Sequence, residues 1–152
     1  MTKQNTPPQT GGQAQPDRVF NIDQVVAYNL GQARRRKGWT QEQTAARLTA
    51  VTGTPWTGNG VGLAERSWAT GRRRIFDATE LLALSEAFGM PVARFLLPPD
   101  TGEPCEYVLG PQHSAKRIGR GRLLDHALAR RARGEYRDLV EDATQAAETS
   151  QS

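Results

Sequence analysis

Between Asp23 and Pro99 the chain is punctuated for helices. Apolar residues recur at spacings of three and four, and a cap or a stop interrupts them at short intervals. Val26, Leu30 and Ala33 fall on one face of a helix predicted over 23–37. It ends on four consecutive cations, Arg34 to Lys37, which suit the negative end of its dipole, and then on Gly38. Thr40-Gln41-Glu42-Gln43 has the form of a capping box and opens a second helix, whose narrow apolar stripe is Ala45 and Leu48 and which Gly53 and Pro55 close. A weaker third helix runs from Thr57 or Gly60 to Thr70, with Val61, Ala64 and Trp68 on one face. Asp77 caps a fourth, again as a box with Glu80, and Leu81, Leu84 and Phe88 form its buried side before Gly89. Pro91 starts a short fifth, carrying Val92, Phe95 and Leu96, and Pro98-Pro99 ends it. Five short helices in so little chain imply an all-α domain over 21–97.

The flanks read differently. Residues 1–17 hold no Val, Ile, Leu or aromatic side chain, so 1–20 is expected to be a disordered tail that buries too little to offset its ordering entropy. Residues 98–119, with prolines at 98, 99, 104 and 111, read as a linker. A helical extension is expected over 120–148, with Leu124, Leu128, Tyr136, Leu139 and Ala143 on one side and Gly134 weakening it, and 149–152 as a disordered end. No apolar run approaches the roughly 20 residues that span a bilayer. The N-terminus lacks the apolar core of a signal peptide, and a single cysteine, Cys105, suits a reducing compartment. A cytoplasmic, nucleoid-associated location is the expectation, with no membrane partner.

The net charge of +4 hides a segregation. Residues 25–75 carry nine basic and two acidic side chains, and residues 114–137 carry eight and two, so the remainder is strongly acidic. Two basic blocks on one chain point to an anionic polymer as partner.

The run from Asn29 to Gln43, NLGQARRRKGWTQEQ, resembles the start of Cro/cI-type (xenobiotic response element) helix-turn-helix DNA-binding domains, in which a Leu/Ile-x-x-x-Arg segment precedes Gly-apolar-Thr/Ser-Gln-Glu. Val61 to Ser67, VGLAERS, is similar to that family's Val-Ser-x-Ile/Trp-Glu-Arg-Gly, and Asp77 to Leu96 is similar to its fourth and fifth helices, Gly-Met-Pro-Val junction included. The resemblance covers about half of the chain. It implies a five-helix, lambda-repressor-like domain that regulates transcription by binding double-stranded DNA, as a homodimer, with no enzymatic activity and no cofactor. It also implies that Arg34 and Glu65 pair within the domain, and that Arg72, Arg73 and Arg74, in the loop after the third helix, lie near the sugar-phosphate backbone. Gln41, at the exposed start of the second helix, is a phosphate or base contact on the same grounds.

The recognition helix, near 57–70, is unusual. Gly58, Gly60 and Gly62 occupy its start, each costing roughly 1 kcal/mol of helix propensity and removing a side chain that would meet a base. Either the helix begins late, leaving Thr57 and Asn59 as early readers, or DNA shape carries part of the specificity. Asn59 has the chemistry of an adenine contact, and Arg66 that of a base or phosphate contact. The alternative function is a protein-interaction or antitoxin-like module on the same fold.

Other chemistries find little footing. The glycine run lacks the third glycine of a dinucleotide loop, since Leu63 stands there, and no strand is expected before it. Cys105, His113 and His126 lie too far apart for a zinc site, and Glu141-Asp142 has nothing converging on it.

Overall fold

A computed structural model describes residues 18–70, 72, 74–102, 104–110 and 115–128. Four α-helices, α1 (Ile22–Lys37), α2 (Gln41–Thr52), α3 (Gly58–Thr70) and α4 (Ala78–Phe88), lead into a 3-10 helix over Val92–Leu96. A three-stranded sheet and a further helix, α5 (Arg120–Ala127), complete the described chain. The molecule is mostly helical.

The caps explain the boundaries. Thr40 Oγ1 accepts from the Gln43 amide at 3.1 Å while Gln43 Oε1 accepts from the Thr40 amide at 2.9 Å, closing the expected box. Asn21 and Gln24 make a second box at the start of α1. Gly38 and Gly53 take positive φ, 68° in each case, where a side chain would strain the backbone. At α4 the box is only half formed. Asp77 accepts from the Glu80 amide, but the Glu80 carboxylate turns away to Arg74. The fifth helix is tightened to 3-10 form, in keeping with a five-residue element.

The predicted faces bury. Val26, Leu30, Ala33, Ala45, Leu48, Val61, Ala64, Leu84, Phe88 and Phe95 belong to one core, with Trp39, Trp56 and Trp68 packed on its margin. Thr44, which stands at an apolar position, is fully buried but satisfied, its hydroxyl donating to the Thr40 carbonyl at 2.9 Å.

The flanks depart from expectation. Residues 18–20 are not tail: Arg18–Asn21 forms strand β1, parallel to β2 (Cys105–Val108), which pairs antiparallel with β3 (Arg117–Gly119). Segment 98–119 therefore supplies two of three strands rather than a linker alone. Cys105, Tyr107 and Ile118 bury against Phe20, Val25 and Leu123 as a second core. Helix α1 divides the two cores, turning Val26 to one and its neighbour Val25 to the other. Trp68 packs against both, with its ring centroid 5.8 Å from Phe20 and 5.0 Å from Tyr28. In α5 the inward residue is Leu123; Leu124 is half-buried and Leu128 is 45% exposed. The rest of the anticipated extension, including Tyr136, Leu139 and Ala143, lies outside the described residues, as do residues 1–17. Among the described residues no helix is long and apolar enough to cross a membrane.

Candidate nucleic-acid interface

Helices α2 and α3 meet at their N-terminal turns, and the glycines of α3 allow it. A methyl group on Gly58 would come within 2.6 Å of Glu42 Oε1, and one on Gly62 within 2.9 Å of Gln41 Oε1 and 3.1 Å of Arg66 Nη1. Gly58 and Gly62 therefore give room to the first turn of α2. The sequence reading, in which these glycines strip the base-reading face, is corrected for both positions. Gly58 and Gly62 are two of the glycines behind the expectation that α3 begins late, yet it begins at Gly58.

What remains outward on α3 is a stripe at helical spacing: Asn59, Leu63, Arg66 and Thr70, all exposed. The opposite faces carry Val61, Ala64 and Glu65 inward to α1 and α2. The stripe is not polar throughout, because Leu63 is 47% exposed. Leu63 had no signal in the sequence beyond its place three residues before Arg66.

Arg34 and Glu65 form the anticipated pair. The guanidinium grips the carboxylate at two points, and the two side chains retain only 17% and 10% of their exposure. The hydrogen bond to Glu65 holds Arg34 above its already high ordinary pKa, against the cost of burial. The pair joins α1 to α3 and fixes the orientation of the outward stripe. Gln41 leans into the same cluster, Nε2 donating to Glu65 Oε2 at 3.4 Å, so its amide rests in the notch over Gly62. It is half-buried rather than free in solvent.

The remaining anticipated contacts divide. Thr57 is exposed, and its hydroxyl accepts from the Gly60 amide at 3.0 Å and so caps α3. Asn59 and Arg66 stand on the open stripe. Arg72 is exposed in the loop after α3. Arg73 lies outside the described residues. Arg74 is held within the fold: its guanidinium lies 5.0 Å from the Trp56 ring centroid and 4.9 Å from that of Phe76, and Nη2 donates to Glu80 at 2.8 Å. A cation clamped by two rings and a carboxylate has little left for a phosphate.

Elsewhere, a cleft of about 600 Å³ opens between the end of α2 and α4, lined by Val51, Trp56, Leu82, Ala83 and Glu86 among others. Among the described residues no group of His, Cys, Asp and Glu could hold a metal ion. No family model, curated protein or solved structure matches the chain.

Proposed function

We propose that the chain is a DNA-binding transcriptional regulator of Cro/cI type, a helix-turn-helix in which α2 and the turn after it present α3 to the major groove of duplex DNA. The observation that carries this reading is the outward stripe of α3, with Asn59 and Arg66 displayed on a helix whose other faces are locked by α1, α2 and the Arg34–Glu65 pair. An α-helix of this length fits the major groove. The basic excess over 25–75 supplies the sequence-independent attraction. Of the three loop arginines, Arg72 is the described one free to touch the backbone. Two chains acting as a homodimer on a two-fold site would set the half-site spacing.

The test is fluorescence anisotropy of the full chain on a mixed-sequence duplex pool across a salt series, followed by selection of the bound duplexes. The expected result is an affinity that falls linearly with salt on logarithmic axes, and an enriched site after selection. No binding at about 50 mM salt would overturn the reading.

A second reading, a protein-interaction or antitoxin-like module, is favoured by the cleft between α2 and α4, where Val51 and Leu82 are 41% and 63% exposed. The same experiment separates the two, because a module of this kind would enrich no duplex site on selection.

A further inference from the structure

We propose that Leu63 and Arg66 form one reading unit, in which Leu63 recognises the C5-methyl group of a pyrimidine (thymine or 5-methylcytosine) and Arg66 the guanine beside it. This deepens the DNA-binding reading above and rests on it.

The argument begins with Gly62. With no side chain there, the space over its backbone holds the Arg66 guanidinium, which lies back along α3 by one turn; Nη1 would be 3.1 Å from a methyl group placed on Gly62. The guanidinium thus lies along α3, one turn before its own Cα, at the edge of the stripe that carries Leu63. Residues three apart on a helix hold their Cβ atoms about 5–6 Å apart, whereas stacked bases lie about 3.4 Å apart. Side chains that start from that separation on one outward face can converge on adjacent base pairs.

Their chemistries match two features of the major groove. Guanine shows O6 and N7, the pair of acceptors that a guanidinium fork meets best. A thymine shows a methyl group, the one apolar feature of the groove, and a leucine meets it without reading the hydrogen-bonding edge. Leu63 is the large apolar side chain of the stripe, flanked by Asn59, Arg66 and Thr70. Because the leucine senses only the methyl group, 5-methylcytosine satisfies it as thymine does. Cytosine methylation at that position would then strengthen binding.

The test uses the full chain and the duplex recovered by selection, resynthesised with uracil for each thymine in turn, which deletes only the methyl group. At one position uracil is expected to weaken binding about fourfold, the value of one buried methyl group. At that position 5-methylcytosine should exceed cytosine by about the same factor. Both differences should vanish in Leu63→Ala, whose melting temperature should match that of the parent because the side chain is exposed. Replacing the neighbouring guanine by 7-deazaguanine, which removes N7, should weaken the parent chain and leave Arg66→Ala unaffected. Equal binding of thymine and uracil duplexes, or a difference that survives in Leu63→Ala, overturns the assignment while leaving the DNA-binding reading intact. Failure to capture any duplex overturns both.

Discussion

Arg34 ties three segments together at one point. Its guanidinium takes both oxygens of Glu65 in α3, and Nη1 donates to the Trp39 carbonyl in the turn before α2 at 3.0 Å. Helix α1, the turn and α3 are thus set by a single side chain. The arrangement is not redundant, because Gln41 reaches Glu65 only at 3.4 Å.

Removing one partner should therefore be costly. Glu65→Ala is expected to lose roughly 2–4 kcal/mol in urea unfolding, somewhat below the figure for breaking a fully buried pair because Arg34 keeps some contact with water. Arg34→Ala should lose a similar amount. The double variant should lose less than the sum of the two, since neither charge is then left stranded.

The loop arginines should separate stability from binding. Arg74→Ala removes a cation stacked on Trp56 and Phe76 and bonded to Glu80, and should cost about 1–2 kcal/mol in thermal or urea unfolding. Arg72→Ala should leave unfolding within about 0.5 kcal/mol of the parent, as expected of an exposed side chain. On duplex DNA, Arg72→Ala should reduce the salt slope by about one phosphate contact.

Gly62→Ala should move stability and DNA affinity in opposite directions. The added methyl group displaces only the flexible ends of Gln41 and Arg66, so unfolding free energy should hold or rise by up to about 1 kcal/mol. DNA affinity should fall, because the notch that aligns Arg66 is filled. A variant that is more stable and binds more weakly is the outcome to look for, by urea titration and anisotropy on the same sample.

Trp68 should prove the joint between the two cores. Trp68→Ala is expected to cost about 3–5 kcal/mol, as for other large aromatic truncations. It should also lower amide-exchange protection along β1 and β2 more than in α4, since the ring sits against Phe20 and Tyr28.

Tyr107 gives a pH dependence. Its hydroxyl is buried without a hydrogen bond of good geometry, and the nearby Arg120 donates to the Pro99 carbonyl instead. Burial, and after it Cys105, push the phenol above its ordinary value of 10.0, with Arg120 pulling the other way. The unfolded chain therefore releases this proton first. Stability from this group is complete below about pH 10 and is lost as pH rises through the unfolded value toward the folded one. Tyr107→Phe should be neutral or stabilising by up to about 1 kcal/mol at pH 7, and should flatten the alkaline decline in melting temperature.

The helices were legible because their signals are local. Thr40 with Gln43, Asp77, Gly38 and Gly53 each act within one turn, so sequence spacing alone locates the ends. The sheet was not legible, because Arg18–Asn21 and Cys105–Val108 are four residues each, with Phe20 the one buried residue of the first, and they pair only with strands distant in the chain. The candidate site fell between these cases. The Arg34–Glu65 pair followed from the resemblance, and the exposure of Asn59 and Arg66 agrees with the reading of α3. Arg74 and Thr57 looked available because sequence does not show that two rings, a carboxylate or a free amide already occupy them. The glycines misled for the same reason: an absent side chain reads as a bare surface until the neighbour that fills its place is known.

The parallel pairing of β1 with β2 has a consequence in time. Arg18 meets Cys105 across 87 residues of chain, and every helix of the main core lies between them. As the chain leaves the ribosome, β1 emerges before the helices and has no partner until all of the helical unit has followed it. The helices, built on short-range contacts, can assemble in that interval, whereas the sheet must close late and over a long loop. Phe20, buried in the finished fold, lacks its strand partner during the wait. A chain released with residues 105 onward missing should thus carry a folded helical unit with Phe20 unpaired, and a chain extended through Leu123 should bury it.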